Sequence, residues 1–367
     1  MSKSISSRIP ENLLVLVEFL KVLLFVYLFL VSIDLMGMSF KASGTEFKSF
    51  LNHATANPFI ALVIGIVVTS IIQSSSTTTS TVVAMVASGT ISLQNAIPII
   101  MGANIGTTVT NTIVSFGYLG RRTEFERSFG ASIVHDMFNV FAVLILFPIE
   151  LYTHVIYKSS VYLEKIFEGL GGFNFVSPLK YIVRPAAELI EMILSNHYLM
   201  LVAAFVLLFF SMKNIIENMK GIVMEKIERV LNRYLFRNAF ISLLFGILFT
   251  AIVQSSSITT SIIIPLVGAG VLTIEQIFPY TLGANIGTTI TALLAALTLS
   301  VPAAMTVALS HLTFNIFGIV LIYPIRIVPI SIVKLIAGFV SKSKRHFLMF
   351  LIIYIVLHLV PILLATL

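Results

Sequence analysis

The sequence predicts an all-α polytopic membrane protein of two inverted-topology repeats, each with a re-entrant helical hairpin broken at a Gln-Ser-Ser-Ser motif. Three observations predict it. Of the 367 residues 57% are hydrophobic and 11% charged, and the mean hydropathy is +1.02, values of a chain whose solvent is mostly lipid. Two polar motifs recur in the same order, 181 residues apart. Lys and Arg gather in alternate connections between apolar stretches, the bias that sets membrane orientation.

Residues 1–56 are read as an N-terminal transmembrane helix and an outer loop. The apolar stretch Leu13 to Ile33 carries Glu18 and Lys21 and lacks a small-residue cleavage site, so a retained helix is expected rather than a signal peptide. Glu18 and Lys21 lie three apart on one helical face and can pair. The absence of Cys excludes disulfides and thiol chemistry. The net charge of +7 sits between apolar segments, where membrane topology explains it and nucleic-acid binding is not needed.

The first repeat is read over 57–149 and the second over 238–325. Gln-Ser-Ser-Ser-Thr-Thr-Thr-Ser at 73–80 returns as Gln-Ser-Ser-Ser-Ile-Thr-Thr-Ser at 254–261, and Gly-Ala-Asn-Ile-Gly-Thr-Thr at 102–108 returns unchanged at 283–289. His135, Phe138, Asn139 and Pro148 match His311, Phe314, Asn315 and Pro324 at an offset of 176. Such duplication is common among transporters.

Orientation follows from the basic residues. With a cytoplasmic N-terminus the first helix ends outside near Ser39. The stretches 58–72 and 82–90 are each too short to span, so they form a hairpin dipping in from outside. A helix over 95–117 then returns inside to Arg121, Arg122 and Arg127, and a helix over 128–149 goes out again. The region 150–237 comprises an interfacial segment to 196 with Gly169, Gly171 and Gly172, a transmembrane helix over 197–212, and a charged linker from Lys213 through Lys220, Lys226, Arg229 and Arg233 to Arg237. The second hairpin therefore enters from inside, opposite to the first. Residues 326–367 form a basic segment, with Arg326, Lys334, Lys342, Lys344 and Arg345 inside, and a last helix at 347–367. Two repeats of opposite sense suit alternating access in a multi-pass protein of the cytoplasmic membrane.

Nine consecutive polar residues, Gln73 to Thr81, lie among aliphatic ones, at a depth where unsatisfied polar groups cost several kcal/mol each. A single Ser would bond back to its own helix or glue two helices. A duplicated block must face water, its copy or a ligand. If each hairpin breaks at its Ser cluster, the helix that starts there offers free N–H groups and a positive dipole end to an anion. The half-helix before it ends in free carbonyls, which with the side chains of Gln73, Gln254 and nearby Thr residues suit a sodium ion. Gly102 and Gly106 permit close approach or unwinding, and Asn104, Thr107 and Thr108 add oxygens.

From 49 to 120 there is no Lys, Arg, Asp or Glu, and from 238 to 325 only Glu275. An oxyanion such as phosphate carries about one and a half to two negative charges near neutral pH, more than hydroxyls and helix dipoles of about half a charge neutralise at the bilayer midplane. Cations must enter with it. A simple anion channel would line its pore with Arg or Lys. Asp136, whose repeat counterpart is Leu312, reads as part of a cation site; the alternative is a partnered carboxylate near Arg121 or Arg127. The matched His135 and His311 read as helix-to-helix hydrogen-bonding groups before proton carriers.

These residues, with His135-Asp136-Met137-Phe138-Asn139, resemble the type II sodium-dependent phosphate cotransporters, over both repeats and about half the chain. The resemblance implies sodium-driven uptake of inorganic phosphate, with sodium as co-substrate and no organic cofactor. It implies phosphate ligands at Ser74, Ser75, Ser76, Asn104, Ser255, Ser256, Ser257 and Asn285. It places sodium ligands at Thr107, Asn139, Gln254, Ser255, Thr288 and Thr291, beside Gln73 and Asp136 from the reading above. In that family an Asp at the place of Asp136 accompanies electrogenic transport, which implies three sodium ions per divalent phosphate. The animal members carry a glycosylated, disulfide-bonded outer loop; 150–196 here is short and without Cys or an Asn-x-Ser/Thr acceptor, which resembles a compact bacterial form. Ala284 stands where some relatives have Ser.

A carrier of another oxyanion, sulfate or arsenate, is the chief rival, since neutral donors read shape and charge loosely. An intramembrane serine hydrolase has no need of a duplicated nucleophile, and Gly-x-Ser-x-Gly is absent. No enzymatic activity is expected. A structural membrane subunit would bind no ligand.

Overall fold

The computed structural model describes residues 11–107, 109–169, 178–231 and 238–353. Their regular elements are all helical. Among the described residues, five helices are long and apolar enough to cross a membrane: Leu16–Ala42 within α1 (Glu11–Ala42), α7 (Arg122–Thr153), His197–Met219 within α10 (His197–Leu231), α14 (Ile274–Leu299) and α15 (Pro302–Ile322). The chain is a multi-pass membrane protein. Between them run α2 (Thr45–Ala54), α3 (Pro58–Ile72), α4 (Ser75–Ala87), α5 (Leu93–Gly106), α6 (Val109–Ser115), α8 (Val155–Gly169), α9 (Pro178–Ile193), α11 (Ala239–Val253), α12 (Ser256–Ser261), α13 (Ile264–Gly268) and α16 (Ile327–Val340).

The duplication is written into the backbone at single residues. Asn57 caps α3 and Asn238 caps α11; Gln73 and Gln254 both take φ 59°; Ser74 caps α4 and Ser255 caps α12. Gly89 and Gly270 turn with φ of 70° and 76°, Ser92 and Thr273 cap α5 and α14, and Pro98 and Pro279 lie inside those two helices. Every pair is 181 residues apart, so one set of capping and turn chemistry folds both halves alike.

Glycines bring the hairpin arms against their neighbours. A Cβ on Gly102 would stand 2.0 Å from Leu62 O and one on Gly65 2.0 Å from Ile99 O, so α3 and α5 meet backbone to backbone. Gly283 and Gly246 repeat this at 2.1 Å from Leu243 O and 2.2 Å from Tyr280 O, joining α11 to α14. Of the two options left for Gly102 and Gly106, Gly102 takes close approach within α5, while Gly106, where a Cβ would stand 2.5 Å from Ile66 O, takes close approach at the residue where α5 ends.

Two apolar clusters hold the bundle. One packs α1, α4, α10, the second half of α14 and the first half of α15; the other packs α7, α13, α16 and the first half of α14. α8 and α9 occupy the region expected to be interfacial, and α9 leaves Leu189, Met192 and Ile193 exposed. Lys21 Nζ pairs with Glu18 Oε1 at 2.7 Å on the exposed face of α1. Gly171, Gly172, Arg233 and Arg237 lie outside the described residues, as do Thr108 and the last helix beyond 353.

Three elements differ from expectation. The first helix runs to Ala42, three residues beyond the end expected near Ser39. The helix expected over 95–117 is two, α5 and α6, although the same seven residues run unbroken through α14. The residues after the motif account for the difference: Val109-Thr110-Asn111-Thr112-Ile113 stays β-branched and polar throughout, whereas its counterpart Ile290-Thr291-Ala292-Leu293-Leu294 turns after two residues to Ala and Leu, which favour helix strongly. The linker expected after 212 continues as helix to Leu231, consistent with a stretch in which straight-chain Lys, Glu and Met abound and no Pro intervenes.

Candidate functional site

Each Gln-Ser pair is a two-residue helix break. Gln73 sits in the left-handed region, its N–H donating to Thr69 O at 2.7 Å, and Gln254 donates likewise to Thr250 O at 2.7 Å. For a residue with a side chain this conformation costs on the order of 1–2 kcal/mol. The Gln carboxamide offsets it by capping the helix it ends: Gln254 Nε2 donates to Ala251 O at 2.5 Å, and Gln73 Nε2 donates to Ser70 O. The next residue is extended, at φ −150° for Ser74 and −151° for Ser255. Ser74 Oγ accepts from Thr77 N at 3.2 Å and Ser255 Oγ from Ile258 N at 3.4 Å. Helix geometry gives the first-turn amides of Ser75, Ser76, Ser256 and Ser257 no acceptor one turn back.

The break is shorter than the polar block. Ser75 to Thr81 are helical in α4, while in the second copy the helix stops at Ser261. Pro265 explains the difference, since it has no N–H for the Ser261 carbonyl; Ala84 stands at its place in α4.

The two breaks touch. Ser76 Oγ donates to Gln254 O at 3.2 Å, and Ser257 Oγ donates to Thr107 O at 3.4 Å. Thr291 Oγ1 donates to Gln254 Oε1 at 2.5 Å. Gln254 thus meets Ser76 with its backbone oxygen and Thr291 with its carboxamide oxygen at the second break, uncharged oxygens of the kind a hard monovalent cation takes. Ser75, Ser76, Ser256 and Ser257 are all buried, between 2% and 6% exposed.

Beside the breaks lies a buried network that ties one repeat to the other. His135 Nε2 donates to Asn285 Oδ1 at 2.5 Å, and His311 Nε2 donates to Asn104 Oδ1 at 3.3 Å. The pairing is reciprocal, with each histidine holding the asparagine of the other copy. Asn285 Nδ2 donates to Asn139 Oδ1 at 2.7 Å, and Asn139 Nδ2 donates to Asn104 O at 2.9 Å. The bond from Asn139 Nδ2 to His135 Nδ1, 3.4 Å long, requires an acceptor there and so agrees with a proton on Nε2. Asn104 Nδ2 donates to Ile100 O at 2.9 Å. Each of the carboxamides of Asn104 and Asn285 has a second N–H to offer.

Other expected site residues are less centrally engaged. Thr107 Oγ1 bonds back to Ala103 O at 3.1 Å, and Thr288 Oγ1 to Asn285 O at 2.6 Å. Asp136 is 9% exposed, with Oδ1 3.7 Å from His135 Nδ1. Arg121 pairs with Glu124 at 3.0 Å, and the Arg127 guanidinium lies against the Gly270 turn. Three participants were not anticipated. Asn111 Nδ2 donates to Thr260 Oγ1 at 2.7 Å across the repeats, Thr69 Oγ1 donates to Thr78 Oγ1 at 2.9 Å across the first break, and Tyr280 OH donates to Thr259 O at 2.9 Å. Tyr280 is the residue whose carbonyl Gly246 approaches, but an isolated Tyr in an apolar run carries no signal of such a role.

A family model described as Na+/Pi-cotransporter matches residues 28–176 and 207–342, which include both breaks and the network. Sodium-dependent phosphate transport protein 2A of Ovis aries is 34% identical over 414 residues, covering 90% of this chain and 64% of the relative. Sodium-dependent phosphate transport protein 2B of Homo sapiens is 32% identical over 430 residues, covering 90% and 62%. The chain thus spans a little under two thirds of the length of these relatives. No solved structure matches it.

Proposed function

The chain belongs to the Na+/Pi-cotransporter family, and we propose that it is a secondary active transporter that takes up inorganic phosphate together with sodium. One observation carries the reading: two helix breaks of the same torsions, opposed across a contact from Ser76 to Gln254 O, in stretches with almost no fixed charge. A site that neutral needs its cation delivered with the anion.

In this reading the hydroxyls of Ser74, Ser75, Ser76, Ser255, Ser256 and Ser257 and the first-turn amides of Ser75, Ser76, Ser256 and Ser257 surround phosphate, with Asn104 and Asn285 donating from the reciprocal network. Sodium takes oxygens from Gln254, Thr291 and Ser255 at the second break. Gln73, Thr107, Thr288, Asn139 and Asp136 supply the remainder. Asp136 adds a charge that only one repeat has, and transport is electrogenic, with three sodium ions per divalent phosphate. The repeats 57–149 and 238–325 lie in opposite senses in the cell membrane with the N-terminus cytoplasmic, and they exchange access by rocking about the paired breaks. No chemical step is catalysed.

Phosphate uptake into vesicles holding the purified protein tests this. Uptake should follow an inward sodium gradient and vanish when potassium replaces sodium, and unlabelled sulfate should compete poorly. Sodium-independent uptake overturns the reading; sulfate or arsenate competing as well as phosphate assigns the carrier to oxyanions at large.

A further inference from the structure

Away from the breaks, a cavity of about 410 Å³ opens where α11 and α14 begin and α15 meets α16. Its polar wall is Glu275, Gln276, Tyr323, Arg326, Ser331 and Lys334. The apolar spans of α14 and α15 start at Ile274 and end at Ile322, so Glu275 and Tyr323 mark the membrane rim, the level of lipid headgroups. Arg326 stacks its guanidinium 4.6 Å over the Tyr323 ring and gives Nη1 to Tyr323 O at 3.4 Å, which leaves most of its five N–H donors for a further acceptor. Lys334 is tied to Glu275. The lining therefore carries two cations against one carboxylate, a net charge that fits a singly charged anion.

Part of the lining is apolar and exposed among the described residues: Ile327, on the cavity wall, is 75% exposed, and Phe240, next in the chain to the lining residue Ala239, is 66% exposed. A soluble anion has no use for such a surface, whereas acyl chains do. We propose that this cavity holds the phosphodiester headgroup of an anionic phospholipid, with Arg326 and Lys334 on the phosphate, Ser331 and Gln276 hydrogen-bonded to it, and the chains lying over Ile327 and Phe240. Basic pockets between membrane helices are built for such headgroups. Because Ala239 at the first turn of α11 lines the same cavity, the lipid bridges the second broken hairpin to α16, and its occupancy sets how freely that hairpin moves.

Native mass spectrometry of the full chain in detergent tests the site without requiring transport. Phosphatidylglycerol should be retained in preference to phosphatidylcholine, and retention should fall roughly fivefold for each of Arg326→Gln and Lys334→Gln. Glu275→Gln frees Lys334 and should raise retention, a change of opposite sign that a folding defect does not produce. Equal retention of the two lipids overturns the proposal. So does a Glu275→Gln variant that holds no more phosphatidylglycerol than the parent, or displacement of the lipid by millimolar inorganic phosphate, which makes the cavity a free-phosphate site. Failure of sodium-driven uptake leaves the retention result standing, so the two readings fail separately.

Discussion

Replacing Gly102 by Ala puts a methyl 2.0 Å from Leu62 O and 2.9 Å from Ile66 N, both backbone atoms of α3. Side-chain carbons do not approach closer than 3.0 Å, so α3 and α5 must part by about 1 Å. A radial gap of about that size forfeits roughly a quarter to a half of each dispersion contact along the crossing, and overpacking of this kind typically costs about 1–3 kcal/mol. At roughly 2–4 °C per kcal/mol for a chain of this order of size, the unfolding midpoint should fall by several degrees. The same shift moves the end of α3, where Gln73 and Ser74 form the break, so phosphate uptake should fall with it. With no Trp or Cys in the chain, a fluorescent fusion followed by size exclusion after heating gives the midpoint. Gly44→Ala, where a Cβ meets nothing within 4 Å, is the control. If Gly102→Ala melts with Gly44→Ala and transports normally, the backbone contact does not hold the site.

His135→Ala should strip the buried Asn285 Oδ1 of its donor at a cost of about 1–3 kcal/mol, and the His135→Ala/Asn285→Ala cycle should show coupling of about 0.5–3 kcal/mol in thermal stability; strict additivity contradicts the pairing. The His311–Asn104 cycle should couple more weakly, since that bond is 3.3 Å against 2.5 Å. Ser76→Ala should lower both phosphate uptake and apparent sodium affinity, while Ser88→Ala, whose hydroxyl donates to Met85 O at the far end of α4, should change neither. Asp136→Gly should retain phosphate uptake and lose the sodium-dependent current; an undiminished current removes Asp136 from the cation site.

The features legible in the sequence are those that local chemistry decides. Asn57 and Asn238 each stand before an apolar run and cap the helix that it forms. Gln-Ser reads as a break because Ser favours the extended capping conformation; that Gln takes the left-handed position before it is not a preference of glutamine and comes from the carboxamide's reach to the carbonyl three residues back. The hidden features are decided by distant partners. His135 and His311 were recognisable as a matched pair, but their exchange of asparagines between repeats depends on how α7 and α15 cross α14 and α5. Gly65 and Gly246 are single glycines in apolar runs, and only the approach of Ile99 and Tyr280 explains them. The break after Gly106 has no counterpart after Gly287, so an identical seven-residue motif could not announce it.

On the proposed function a nearly uncharged site takes an oxyanion only with its cations, and isothermal titration of the purified protein with phosphate measures this most directly. In sodium the protein should bind phosphate, with affinity rising more steeply than the first power of sodium concentration; in potassium it should bind none. Equal binding in the two salts would contradict it.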